Sequence, residues 1–323
     1  MHHIAPFLNP FSNPIVPTIL MRLGILYGIA IIAVLFAEKG NLKAVWKSNI
    51  GQRIIGWLIL TPLYFIGTFA GGVPGLIVIS VFIIGAVIEY ARIAKLGASF
   101  RNILVALSII SVAVAGYVPS LFYSLPLVYF LMVTPLAIRL NDPEKSFERA
   151  AVTMYGAIWL IFSLCHLILL TRLSTHFDMT HALTFLVIFA VALADIGGYV
   201  FGKLFHHFGI LDNLKVADKL SPNKTYIGTL GYIIGAFAGI SLFLFAVGSY
   251  MSMLQWAIIA VIIGVFSFVG GLTHSFFKRY FGVKDSGHVI PGHGGIMDRI
   301  DSISRVGVIL YYFLTFFVIK VIK

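Results

Sequence analysis

The run WAIIAVIIGVFSFVGGL (256–272) leads into SFFKR (275–279), KDSGH (284–288) and PGHGGIMDRID (291–301), after which the chain turns apolar again. A hydrocarbon segment long enough to cross a bilayer, at about 20 residues per crossing, thus borders a strongly polar loop. That loop holds Lys278, Arg279, Lys284 and Arg299, the aspartates Asp285, Asp298 and Asp301, two histidines and five glycines. Polar groups are costly near a bilayer and gather where something functional happens. Cations, carboxylates and glycines in this mixture suit the handling of phosphates with a divalent metal.

Outward from the loop, the chain is mostly hydrocarbon. With 59% hydrophobic and 11% charged residues, it cannot be a soluble globule and reads as an all-α polytopic membrane protein. Apolar runs centred near residues 28, 62, 83, 110, 130, 161, 192, 237, 262 and 312 predict nine or ten crossings. The pairs of runs around Gly71-Gly72 and Pro119 also read as re-entrant hairpins. Assigning the loops alternately to two sides leaves Arg22, Arg172, Lys320 and Lys323 on one and the other nineteen of 23 Lys and Arg on its opposite. The positive-inside rule makes the rich side cytoplasmic, and the long polar loops with it.

The net charge of +11 therefore needs no nucleic acid. A basic cytoplasmic face is drawn to anionic membrane lipids, by roughly 1 kcal/mol per cation near the surface. Cys165 is the one cysteine, which excludes a disulfide framework, and the N-terminus lacks the basic region of a cleaved signal peptide. Polarity divides the chain into a transmembrane scaffold over 1–175 and a transmembrane catalytic module over 176–323. Within the scaffold, Glu89 is the notable carboxylate; an i,i+3 ion pair with Arg92 is its plainest account, and a line of contact to the site is the alternative, since carboxylates seldom sit in spans without a role.

Two further polar clusters lie in the second part. Asp195, in ADIGGYVFGK (194–203), follows an apolar run and must be neutral, paired or metal-bound. Pairing with Lys203 or with a neighbouring helix for packing alone is the simpler alternative, and Gly197, Gly198 and Gly202 allow close approach. Ser221, Asn223, Lys224 and Thr225, in KLSPNKT (219–225), form a compact set of anion donors before a helix start. Thr225 alone reads equally as an N-cap. In the opening loop, Gly292, Gly294 and Gly295 around His293 can turn N–H groups toward an anion. Asp298 and Asp301 share a helical face, suited to Mg²⁺ or merely to a helix N-terminus.

At these residues the chain resembles the phosphatidate cytidylyltransferase family, the CDP-diacylglycerol synthases. Ser275, Lys278, Arg279, Lys284, Asp285, Pro291, His293, Gly294, Gly295, Asp298, Arg299 and Asp301 fit its signature at the family spacing. The segments at Asp195 and 221–225 look like its other polar blocks, in the same order. The resemblance implies a bacterial inner-membrane enzyme with its active site facing the cytoplasm, in which CTP and phosphatidate give CDP-diacylglycerol and pyrophosphate with Mg²⁺, with room for a second cation and for pairing as a homodimer. It implies Asp298, Asp195 and Asp301 as metal carboxylates, with Asp285 as a ligand or orienter. Lys224, Lys278, Arg279 and Arg299 would hold the phosphates, beside a substrate-binding set of Ser221, Asn223, Thr225, Lys284, His293, Gly294 and Gly295.

One departure stands out. Where the family carries Gly-Asp-Leu-x-Glu-Ser, this chain has Gly270-Gly271-Leu272-Thr273-His274-Ser275. Loss of a carboxylate at Gly271 should weaken Mg²⁺ binding, and the imidazole of His274 suits transition metals better than Mg²⁺. The competing readings are a CTP-dependent kinase of a polyprenol-type lipid, a catalytically altered paralogue, and a transporter or lipid-binding protein.

Overall fold

The computed structural model describes residues 9–39, 41, 47–176, 182–209, 215–222, 224–247, 251–292 and 294–319. Its helices are α1 (Val16–Ala37), α2 (Asn49–Phe69), α3 (Gly72–Ile93), α4 (Ala98–Tyr117) and α5 (Leu125–Ile138), the last entered by a 3-10 turn over Pro119–Ser124. Next, α6 (Pro143–Gly156) continues through a π-helical turn (Ala157–Phe162) into α7 (Ser163–His176). The remainder are α8 (Ala182–His207), α9 (Tyr226–Phe243), α10 (Met253–Tyr280) and α11 (Met297–Phe313). Polar residues start several of them. Ser48 accepts from Gly51 N, Asp142 from Lys145 N and Thr225 from Gly228 N, and Ser252 closes a capping box with Gln255.

Nine helical rods among the described residues are long and apolar enough to cross a bilayer. The tenth run, near residue 62, forms α2 at full length, but Gln52, Arg53, Thr61, Pro62 and Thr68 dilute its apolarity. Re-entrant hairpins at Gly71-Gly72 and Pro119 do not form. The flanking rods α3, α4 and 119–138 have 22, 20 and 20 residues, and at 1.5 Å per residue each spans the hydrocarbon. The sharp reversal from α2 to α3 passes through Gly71 and Gly72, both with positive φ, which glycine alone adopts readily.

Contacts near the helix termini group the helix ends as strict alternation requires. At one end Arg92 donates to Ser286 O, and Arg149 donates to Lys95 O. At the other, Arg22 donates to Leu242 O and Arg172 to Gly116 O. The polar signature therefore gathers at the end where α3, α8 and α10 finish and α11 begins.

The tightest packing joins α8 to α9. Gly231, Gly235 and Gly239 recur every four residues along one face of α9. A Cβ at Gly197 would strike Gly231 O, one at Gly235 would strike Leu193 O, and one at Gly239 would lie 2.5 Å from Ala190 Cα. Small residues at this spacing let helix backbones touch in lipid, where dispersion takes over from the hydrophobic effect. Gly202, expected to share this approach, faces open space. On α10, a Cβ at Gly270 would meet Asp301 O at 2.6 Å, so α11 also lies directly against its neighbour. One buried apolar cluster includes residues from Val16 to Val318. The outer faces, with Ile25, Ile29, Ile77, Val81, Leu127 and Phe130, are exposed hydrocarbon suited to lipid.

Candidate active site

The last turn of α10 and the first turn of α11 converge on Asp298. Lys278 Nζ donates to its Oδ1 at 2.8 Å, while the amides of Ser286 and Gly295 donate to Oδ2 at 3.2 and 2.9 Å. All three pieces of the signature therefore meet on one carboxylate. Gly294, with φ near +80°, makes the reversal that aims the Gly295 amide at it.

His274 sits behind this group, 1% exposed. Its Nδ1 lies 3.3 Å from Asp301 Oδ2 and 3.6 Å from Asp298 Oδ1, and its Nε2 lies 2.7 Å from Ser286 Oγ. Two carboxylates face Nδ1 and place a proton there, and Nε2 shares a hydrogen bond with the serine hydroxyl. Trp159, carried on the π-helical turn, sets its ring edge-on to the imidazole at 5.9 Å and donates to Ser304 Oγ on α11. The family's Glu position is thus filled by a histidine that ties both aspartates to the signature loop.

Asp195 and Asp301 share Ser302. Its hydroxyl donates to Asp195 Oδ1 at 3.1 Å and its amide to Asp301 Oδ1 at 2.8 Å. Of the two partners expected for Asp195, the structure shows the neighbouring helix, through Ser302 of α11, and not Lys203. Arg299 bears electrostatically on both carboxylates, and its buried Nε has no hydrogen-bond partner. Lys224 points inward, donating to Phe268 O at 3.3 Å. Burial lowers its pKa below the ordinary lysine value, against the upward pull of Asp301 and Asp195. Thr225 caps α9, and Ser221 accepts the Lys224 amide in the preceding turn.

Sequence alone does not give Glu89 its place. The ion pair with Arg92 does not form; both side chains reach across to the signature. Glu89, 4% exposed, accepts from the Ile296 and Met297 amides at 2.9 Å each, and Arg92 donates to Ser286 O at 2.6 Å. The glycine-loop amides expected to face a substrate anion serve the protein's own carboxylates Asp298 and Glu89. The only forewarning was the rarity of a carboxylate in a span. The site accordingly draws on both 1–175 and 176–323.

Beside Ser286 opens a cavity of about 540 Å³, lined by Arg92, Lys95, Asp285, His288 and Phe281 among others. Asp285 and Lys284 are exposed there, as is Arg279 at the end of α10. Asn223 and His293 lie outside the described residues.

The carboxylates do not form a cage that holds a metal on its own. Asp298 already accepts from three protein donors, and Asp301 from Ser302 and His274. Among the described residues, no three His, Cys, Asp or Glu side chains are grouped to take an ion. Opposite Glu89, Asp195, Asp298 and Asp301 stand Arg92, Lys224, Lys278 and Arg299, so the protein balances its own charge. Such a centre suits an anion that brings its own cation, as a metal–triphosphate does.

Residues 51–317 match the model of the cytidylyltransferase family. A phosphatidate cytidylyltransferase of Pseudomonas aeruginosa is 35% identical over 265 residues, 78% of this chain and 92% of that protein. Another from Staphylococcus haemolyticus is 40% identical over 112 residues, 35% of this chain and 41% of that protein. The uncharacterized protein YnbB of Escherichia coli K12 is 33% identical over 195 residues, 59% of this chain and 62% of its own length. With a family match running from α2 to α11, and with its signature gathered around Asp298, the chain belongs to the cytidylyltransferase family.

Proposed function

We propose that this protein is a CTP:phosphatidate cytidylyltransferase of a bacterial inner membrane, with its site open to the cytoplasm. The observation that carries the reading is Asp298, held at once by α10, the KDSGH loop and the glycine loop, next to a cationic cavity. In the reaction, a phosphate oxygen of phosphatidate forms a bond to the α-phosphorus of CTP. The bond from that phosphorus to the α–β bridging oxygen breaks, and pyrophosphate leaves with the electron pair. No protein nucleophile is needed, so positioning and charge neutralisation supply the rate.

In this reading Asp298, Asp195 and Asp301 are the carboxylates that would face the Mg²⁺ of an MgCTP complex, whose charge would offset that of the phosphates. Lys278 and Arg299, with the more exposed Arg279 and Lys284, bind phosphate oxygens of the two substrates. Asp285 and His288 line the nucleotide side of the cavity. Ser221, Asn223 and His293 complete the phosphate-binding loops around the deeper machinery. His274 and Glu89 are positioning residues, since each acts through Asp298, Asp301 or the α11 amides.

Product analysis with purified protein in detergent, given CTP, phosphatidate and Mg²⁺, tests the proposal. CDP-diacylglycerol and pyrophosphate in equal amounts, lost in Asp298→Asn, are expected. With a polyprenol-type alcohol added, lipid phosphate and CDP as the products would establish a lipid kinase instead. A chain that turns over CTP with neither acceptor would overturn both enzymatic readings.

A further inference from the structure

We propose that Arg305, inside the last span, is the docking point for the phosphomonoester of a lipid that enters sideways from the bilayer between the α6 rod and α11. The inference rests on the nucleotidyl-transfer reading for its purpose, since it says where phosphatidate is caught before it reacts.

Arg305 follows Asp301 by one turn of α11 and lies outside the signature. A guanidinium within a span is costly, and such groups pair with carboxylates or carbonyls or mark a substrate path. The ion pairs among the described residues leave Arg305 without a carboxylate. Its Nε is buried and has no hydrogen-bond partner. The polar side chain that faces it is the Tyr155 phenol of α6. A phenol oxygen turned to a guanidinium keeps its own proton free for an anion.

This pair adjoins the reacting centre from the membrane side. The Tyr155 ring lies 5.5 Å from that of Trp159, which packs edge-on to His274 and donates to Ser304. Asp298, Asp301 and Arg305 recur at intervals of three and four, so they share one face of α11. Seven residues carry Arg305 about 10 Å deeper than Asp298. Helical side chains lean toward their own N-terminus, so the guanidinium reaches back toward the site. Beyond Arg305 the same face turns apolar, with Val308 and Tyr312 half-buried and Phe316, stacked on Tyr312, exposed. Tyr155 and Ile158 on the α6 rod are exposed as well. A lipid fits both parts, its acyl chains along the stripe and two phosphate oxygens on the planar guanidinium fork. CTP carries no hydrocarbon for such a stripe.

Retention of radiolabelled phosphatidate by purified protein in phosphatidylcholine nanodiscs, without nucleotide, reads the site, and the melting temperature is followed alongside. Phosphatidate should raise the melting temperature of wild type. Arg305→Met should bind it about 10–100-fold more weakly, the scale of a lost hydrogen bond to a charged group, and should lose that rise. Since the protein gives this guanidinium no carboxylate, the lipid-free variant should melt no lower than wild type. Arg305→Lys should recover part of the affinity. In turnover, Arg305→Met should raise the KM for phosphatidate by a similar factor and leave the KM for CTP unmoved.

Equal phosphatidate binding by wild type and Arg305→Met would overturn the inference. Equal binding of phosphatidylglycerol would also do so, by making Arg305 a general contact for anionic lipids. Displacement by equimolar inorganic phosphate would give the site to a soluble anion instead. If Arg305→Met and Arg305→Gln both fail to fold, the guanidinium serves the fold and the inference falls. Arg305-dependent phosphatidate binding without CDP-lipid formation spares the docking point and sinks the synthase. CDP-lipid formation whose KM for phosphatidate ignores Arg305→Met does the reverse.

Discussion

Helices α1 and α11 both cross the membrane, yet they are built on opposite terms. Along α1, Met21, Ile25, Ile29, Ile32 and Phe36 are exposed, while Val16, Ile19 and Leu23 touch the core. Its requirement is hydrocarbon of sufficient length, and many sequences meet that. The first two turns of α11 hold Asp298, Arg299, Asp301 and Ser302; Asp298 and Asp301 have partners on α10, Ser302 on α8, and the Met297 amide at the helix start is taken by Glu89 of α3. In lipid, an unmatched polar group costs several kcal/mol, so this segment tolerates few alternatives. One helix is specified by composition, the other by partners.

The contrast sets the order of expected effects. Asp298→Asn should be the most damaging, lowering CDP-lipid formation about 10²–10³-fold, because it removes the charge that anchors Lys278 and the two loop amides and that would face the cation of MgCTP. Radiolabelled CTP incorporation into lipid measures it, and activity within a few-fold of wild type would remove Asp298 from the centre. Gly235→Leu comes next. Its side chain has no room beside Leu193 O, and overpacking of this kind costs roughly 1–3 kcal/mol or more. A lower melting temperature in detergent, or an aggregated peak in size-exclusion chromatography, is the expected readout.

Glu89→Gln should cost about 1 kcal/mol, the scale of a lost charged contact at a helix N-terminus. As a positioning residue, it should lower kcat more than it raises KM, and Glu89→Asp should recover less activity than a purely electrostatic role predicts, since the shorter side chain cannot reach both amides. Ile25→Ala should be the mildest. Lipid replaces water as the reference on that face, so a melting temperature unchanged within error is expected. A large loss there would mean α1 buries this face against another chain and would erase the contrast.

The same division explains what could be read from sequence. Ten apolar runs announce ten helices because bilayer thickness sets a length that no distant contact can alter. Thr225 before an apolar run announces its own cap, since the hydrogen bond is made three residues away. Glu89 has no such local signature. Its partners are 207 and 208 residues distant, and the neighbouring Arg92 offered a nearer but unused partner. The α8–α9 seam was half legible. Gly197 and Gly198 stood out beside Asp195, but the matching glycines of α9 gain meaning only once the two helices are known to touch. His274 read as a departure in sequence; three-dimensional contact makes it the link between two aspartates and Ser286.

Glu89 also bears on how the protein is made. The chain is synthesised and inserted from its N-terminus, so this carboxylate enters the membrane long before the amides of Ile296 and Met297 exist. Until the last helix arrives, the Glu89 side chain must borrow hydrogen-bond donors from the insertion machinery or the lipid headgroups. Docking of α11 ends that wait and assembles the site in one step, so a chain truncated before residue 296 would carry most of the membrane domain and none of the chemistry.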